Sequence, residues 1–456
     1  MVEPPLVQRT ISPTSQNRTN DAFKSHKMNP AADPRLMRRI IAEDPEWSLA
    51  TVPLLRELCI KHIVGNFKEN PILDGLNTKD RAKVLQLLPT DVPISISAGL
   101  IEDEGYWKRC CQARWQICDV SKHGGDWKRM FFERNLEDLI EHFVPDSTDP
   151  SMLYDVMKLS ANFIRCLNIK QLLPPVKSGS KFEDISDTNS DAGESPDVDH
   201  FDFNEIISRL TNLQELHVTY GVRDCGMNFE WNLFKFTPKD CSLLAKAVKN
   251  CRTLKVLRLH RSGVTDELVR VLISHLLDHP ALIALDLSYN KISDSGARAI
   301  GKFLNGHSKL IHLNLCGNQI HGPGASAISH ALQKNATLRT LNIRVNRLSD
   351  EGGQALCKAL MKNKILSLMD IGANDLTEPT AMALAKVILH NKVITSINLS
   401  CNKLGPDGGK ALQESMEENH RIINMDLRLT EVGQESEYCI NQVLKRNKEN
   451  LIHRFH

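Results

Sequence analysis

The chain has no run of about 18 apolar residues long enough to cross a bilayer. Its opening, MVEPPLVQRTISPTSQNRTN, lacks the apolar core of a secretory signal. Both absences argue for a protein retained in the cytoplasm and away from membranes. The 456 residues are 25% charged with a net charge of only +2, so no basic excess asks for nucleic acid. The 12 cysteines include no C-x-x-C pair. Cys110, Cys111 and Cys118 lack matched histidines, so the thiols read as small apolar residues in reducing surroundings and no metal is expected. No G-x-S-x-G, H-E-x-x-H or G-x-G-x-x-G stands in a strand-turn-helix context. The nearest phosphate-loop spacing, Gly296 to Lys302, has Phe303 where a Mg²⁺-binding Ser or Thr belongs and falls where a helix should run. Histidines 260, 275, 279, 307, 312 and 390 read as scattered surface residues at different repeat phases. The expectation is a non-enzyme with no catalytic residue and no cofactor.

What is present is a period. Ser262, Asn290, Asn318, Asn346, Asn374, Asn402 and Thr430 stand 28 residues apart, each behind an apolar triplet that runs from Leu254/Leu257/Leu259 to Ile422/Met425/Leu427. This is the L-x-x-L-x-L-x-x-N leucine-rich repeat, whose unit is a strand, a turn and a helix that buries its apolar side only against a neighbour. The triplets, with Val264, Ile292, Ile320, Leu348, Leu376, Leu404 and Val432, should form most of the core. The turn asparagines should bond backbone groups of adjoining coils, with Ser262 and Thr430 marking capping units. Ala299, Ala327, Ala355, Ala383 and Ala411 recur at the same period, each beside an apolar residue that has another four positions on, which places a helix in every unit. The fold class is α/β: a horseshoe resembling the ribonuclease-inhibitor type, with parallel concave strands and convex helices, preceded by an all-α domain. A further unit starts at Leu213/Leu216/Val218 with 13 extra residues after its strand.

Composition divides the rest. Residues 1–32 read as a disordered or partner-ordered tail and 33–176 as a helical domain, with amphipathic helices at 51–63, 79–88, 127–143 and 152–167. Residues 177–205, with nine acids against two bases, read as an acidic linker. The repeat domain spans 206–456, with an aromatic insertion at about 219–238.

A repeat array offers surface instead of chemistry. Arg258, Asp286, Asn314, Asn342, Asp370, Asn398 and Asp426 should line the concave face, followed two residues later by His260, Ser288, Cys316, Arg344, Gly372, Ser400 and Arg428. This polar, mildly acidic ladder either recognises a protein rich in Lys, Arg or amide groups or simply hydrates an exposed sheet. In the insertion, Phe229, Trp231, Phe234 and Phe236 either cap the open end of the array or anchor a partner. Trp107 and Trp127, each before Lys-Arg, read as half-buried anchors or as parts of an F-box-like module opened by Pro53-Leu54-Leu55. An F-box-like ubiquitin-ligase adaptor is one alternative class. A leucine-rich-repeat GTPase activator, with Arg261 or Arg344 as a catalytic finger, is another.

The insertion GVRDCGMNFEWNLFKFT (221–237), the segment WKRMFFERNLEDLIEHF (127–143) and the order of helical domain, acidic linker and repeats resemble the leucine-rich-repeat subunits of the axonemal nexin–dynein regulatory complex. The resemblance implies a non-enzymatic scaffold in motile cilia and flagella, part of the link between doublet microtubules that restrains sliding and signals to dynein. It implies other complex subunits and axonemal proteins as partners, doublet microtubules or dynein arms as indirect contacts, and neither nucleic acid nor membrane.

Overall fold

The computed structural model describes residues 37–39, 51–145, 147–174, 200–223, 225–228, 231–304 and 308–453. The tail at 1–32, most of the acidic stretch, Phe229 and His307 lie outside them, and of Trp231 only the backbone is described. No described helix is long and apolar enough to cross a membrane.

The chain divides into two compact units, with the boundary between Tyr106 and Trp107. The first holds strands β1 (Met37–Arg39) and β2 (Thr51–Pro53), paired antiparallel, then helices α1 (Leu55–Gly65), α2 (Thr78–Leu87) and α3 (Ile94–Leu100). Thr51 to Pro53 therefore form a strand and not the opening turn of a helix. In α1 only Ile60 is buried, while Leu55 and Leu58 are exposed, because the apolar spacing there has little amphipathic bias. Helix α4 (Glu104–Arg114) spans the boundary.

The second unit opens with α5 (Trp127–Glu141) and α6 (Pro150–Ser160), both N-capped by aspartates, Asp126 and Asp149. The apolar pattern read as one helix over 152–167 ends at Ser160 and continues as strand β3 (Cys166–Ile169). The array follows: α7 (Phe203–Ile207), β4 (Glu215–Val218), α8 (Pro238–Asn250), β5 (Val256–Leu259), α9 (Asp266–Leu276), β6 (Ala284–Asp286), α10 (Asp294–Leu304), β7 (His312–Asn314), α11 (Gly322–Leu332), β8 (Thr340–Asn342), α12 (Ser349–Leu360), β9 (Leu368–Asp370), α13 (Glu378–His390), β10 (Ser396–Asn398), α14 (Gly405–Glu417), β11 (Asn424–Asp426) and α15 (Gln434–Ile452). Strands β3 to β11 form one sheet in chain order, every neighbour parallel, and from β5 onward the register advances by one repeat. This is an α/β leucine-rich-repeat horseshoe with strands on one face and helices on the other.

The periodic residues make the core. From Leu254 to Ile422 no triplet residue is more than 1% exposed, and only Met425 and Leu427, in the last coil, reach 5% and 6%. Each such side chain contributes roughly 1.5–3 kcal/mol by burial. The alanines at 299, 327, 355, 383 and 411 are only half-buried. The fully buried small residues stand two positions earlier, at Ala297, Ala325, Gly353, Ala381 and Gly409, where the next coil crosses. A Cβ on Gly409 would lie 2.1 Å from the Val432 carbonyl oxygen. Aspartates tie successive coils together: Asp266 accepts from the backbone N–H of Ser293 and Gly296, and Asp294 from His321 and Gly324, so a carboxylate of one unit caps the helix of the next.

The acidic stretch ends earlier than its composition indicates. His200, Phe201 and Phe203 are buried, and Asp202 caps α7. His200 Nδ1 and backbone N–H both reach the Asp240 carboxylate, at 2.8 and 2.9 Å. His200, Phe201 and Phe203 therefore belong to the core of the array.

Candidate interaction surface

The turn asparagines face inward and are bonded to backbone, with only the buried Asn374 Oδ1 among them left without a partner. Asn346 Nδ2 donates to the carbonyls of Leu315 and Ile343, while its Oδ1 accepts the Ile320 N–H. Asn290, Asn318 and Asn402 bridge adjacent coils in the same way, and Asn374 donates to Ile343 and Gly372. Nothing in this row is available to a partner. A second ladder of the same kind, missed in the sequence, lies at the helix ends: Asn335, Asn363, Asn391, Asn419 and Asn447, all buried, donate to carbonyls of the preceding coil. His279 occupies the same phase, buried, with Nε2 3.0 Å from the Cys251 carbonyl oxygen. It is not a surface histidine. His307 shares its phase, and the 28-residue spacing was the signal that could have found the row.

The concave row is partly structural. Asp286, Asn314, Asn342, Asp370, Asn398 and Asp426 each use Oδ1 to accept the backbone N–H two residues on. Only a short side chain with an acceptor at that distance can do this, which explains Asx at this phase beyond any partner. The acidity is also largely compensated. Arg428 donates twice to Asp426, holding that carboxyl below the usual carboxylate range. Arg258 stands 4.0 Å from Asp286, and Asn398 Nδ2 donates to Asp370 Oδ2. The face is amphoteric and not acidic.

The row two residues later is mostly closed: Ser288, Cys316, Gly372 and Ser400 are buried, leaving His260, Arg344 and Arg428. Sequence reading overlooked the other concave row, two positions before the first: Val256, Ala284, His312, Thr340, Leu368, Ser396 and Asn424, all half-buried or exposed. The two rows enclose a cleft of about 470 Å³ at the C-terminal end, lined by Leu368, Asp370, Ser396, Asn398, Asp426 and Arg428.

The aromatic candidates divide. Trp107 is 1% exposed, packed on Phe131 and Phe132 at 5.0 and 5.2 Å with Lys128 Nζ over its ring, so it is core and presents nothing to a partner. Trp127 is half-buried beneath Lys108. Phe236 is buried against Tyr220 at 4.2 Å, and Phe234 lies over Gly221. The described residues of the insertion contain two short 3-10 turns, Gly226–Asn228 and Trp231–Phe234. It is joined to the end of β3, where Leu172 donates to the Gly221 carbonyl and Gln171 accepts the Arg223 N–H.

The far edge of the sheet is closed by a helix. Glu133 Oε1 accepts the N–H groups of Arg165 and Cys166, Glu137 Oε1 that of Asn168, and Glu141 Oε1 that of Lys170. Four helical residues rise about 6 Å and two strand residues about 6.6 Å, so carboxylates one turn apart on α5 match alternate donors on β3. Arg129 and His123 hold the fully buried Glu133 from the other side, at 2.8 and 2.6 Å. Burial raises the Glu137 carboxyl to about 8. In front of this edge, Cys166, Glu215 and His217 share the concave face. Burial pushes the Cys166 thiol up to about 12 and keeps the His217 ring neutral, its pKa lowered to about 4.

A family model described as Leucine Rich repeat matches residues 280–301, 306–329, 334–357 and 390–412. The chain is similar to proteins named dynein regulatory complex subunit 5, as the resemblance read from its sequence implies. Identity to the Homo sapiens protein is 52% over 272 residues, covering 59% of this chain and 54% of that one. The Mus musculus protein is 50% identical over 290 residues, covering 63% and 58%, and the Chlamydomonas reinhardtii protein 33% over 218 residues, covering 48% and 50%. The chain spans about half the length of the curated relatives it matches.

Proposed function

We propose that this chain is a non-enzymatic scaffold of the axonemal nexin–dynein regulatory complex, holding other subunits of the link between doublet microtubules and thereby regulating dynein-driven motility of cilia and flagella. The observation that carries the reading is its similarity, at 50–52% identity, to mammalian proteins named as the fifth subunit of that complex. The architecture is compatible with the role, since a solenoid tied together by backbone-bonded asparagine ladders transmits load and presents extended surface without chemistry. Its partners are other subunits and axonemal proteins, met on the two concave rows, and its place is the axoneme.

The test is affinity purification of the tagged protein from motile-ciliated cells, with and without residues 34–176, and partners identified by mass spectrometry. Recovery of regulatory-complex and dynein-arm subunits supports the reading. Recovery of a Skp–cullin core or a small GTPase instead moves the chain to the adaptor or activator class.

A further inference from the structure

We propose that Cys166, Glu215 and His217 form a zinc-binding site on the concave face at the first two strands of the sheet. The register pairs Cys166 with Glu215 and Asn168 with His217, so side chains at these alternate positions stand on one face of adjacent parallel strands. Their ligating atoms lie within 4.8 Å of one another, and among the described residues no other three His, Cys, Asp or Glu side chains meet this way. A thiol, an imidazole and a carboxylate form a donor set that suits Zn²⁺ and not the hard cations Ca²⁺ or Mg²⁺.

A second observation points to a missing ligand. His217 Nε2 is buried and has no hydrogen-bond partner, and Glu215 Oε2, 3.6 Å away, is beyond bonding distance. In the tautomer with its proton on Nδ1, that nitrogen offers its lone pair to an ion. The three side chains border a cleft of about 510 Å³ that Asn168, His123, Arg134 and Lys170 also line, wide enough for the ion and a water in the fourth position. Binding exchanges the Cys166 Sγ–H bond for Sγ–Zn and releases one proton to solvent. Of the cations nearby, Arg258 faces Asp286 and Arg134 donates to the Ile117 carbonyl. The expectation of no metal rested on Cys110, Cys111 and Cys118, whereas Cys166 lies 49 residues before Glu215, a separation that matches no compact ligand motif. Bound zinc would clasp β3 to β4, joining the capped edge to the array. The proposal stands apart from the ciliary reading.

The experiment uses the full chain, stripped with chelator and titrated with Zn²⁺ against a chromophoric competitor, then with Co²⁺ as a spectroscopic probe. Expected are one high-affinity equivalent, a thiolate-to-cobalt charge-transfer band and tetrahedral visible absorption. Cys166→Ser should abolish the charge-transfer band. His217→Asn should weaken binding beyond the roughly 10- to 100-fold that loss of an outer-shell partner costs. Cys59→Ser and Cys401→Ser, at exposed thiols, should change neither. Glu215→Gln is the second ligand variant should Cys166→Ser fail to fold, and zinc should slow amide exchange across 166–169 and 215–218. A folded wild type without the cobalt spectrum, or a spectrum that survives Cys166→Ser, would overturn the proposal.

Discussion

Glu137 Oε1 accepts the backbone N–H of Asn168 at 2.7 Å, so a helical carboxyl occupies the place that a further strand would take beside β3. With Glu133 and Glu141 it closes an edge that would otherwise pair with other chains. The far side of Glu133 is held by an arginine and a histidine, whereas Glu137 is buried beside its like-charged neighbours, and this sets its titration.

The cap should weaken with rising pH. A carboxyl raised from 4.5 to about 8 binds its proton more tightly folded than unfolded. Its contribution is therefore full below about 4.5 and is lost as pH rises towards 8, at a slope of up to about 1.4 kcal/mol per pH unit. Glu137→Gln keeps an acceptor for Asn168 without the charge. From pH 5.5 to pH 8 the urea midpoint of the wild type should fall relative to that of this variant, and the variant's protection of the 166–170 amides at pH 8 should exceed wild type. A pH dependence of the midpoint that is the same in wild type and Glu137→Gln would refute the assignment.

Two asparagines four residues apart should differ sharply. Asn346→Ala strands the Leu315 and Ile343 carbonyls and the Ile320 N–H in the interior, at about 1–3 kcal/mol per buried group, for a total of several kcal/mol. Asn342→Ala loses one bond to Arg344 N–H on the half-open face, about 1 kcal/mol. Chemical denaturation of the two variants side by side is the check, and equal losses would contradict the burial argument.

The turn before each ladder asparagine demands a left-handed residue: Arg261, Tyr289, Gly317, Val345, Ala373, Cys401 and Leu429 all have φ between 50° and 68°. A β-branched residue is strained there, so Val345→Asn should stabilise by about 1 kcal/mol. Gly317→Ala should destabilise, because its Cβ would meet the Tyr289 ring at 2.7 Å. Opposite shifts in melting temperature are the expected signature.

On the concave face, Asp286→Lys combined with Asp370→Lys should lower partner recovery at least about tenfold, a change of roughly 1.4 kcal/mol. Asp370→Asn retains the acceptor for the Gly372 N–H and serves as the structural control. Quantitative co-purification from ciliated cells measures both. Undiminished recovery by the double reversal would remove the concave rows from the interface.

Much of this architecture was legible because its determinants repeat. Leu285, Leu313 and Leu341 have equivalent surroundings one coil apart, so a local pattern specifies a long-range contact. The helix phase was legible in the same way, since Ile300 and Leu304 and their equivalents are all buried, but the small residue that the next coil crosses, Ala297, was not picked out, because an alanine shows its size in the sequence and not which coil crosses it. His279 was misplaced for a related reason: its ladder neighbours are asparagines, and the shared requirement, a donor for a buried carbonyl, is not a shared residue type.

By itself, then, the sequence determined the repeat unit, the parallel sheet with its convex helices, and the inward row of asparagines, since strict periodicity makes each coil's environment a copy of the next. Only the tertiary structure decided what happens where the period breaks. Strand β3 joins the sheet 49 residues before its partner, α5 closes the edge with Glu133, Glu137 and Glu141, and Cys166 comes to face Glu215 and His217. Those relationships depend on how an aperiodic segment docks, and hydrogen-bond geometry across that junction, which spacing along the chain does not encode, settles them.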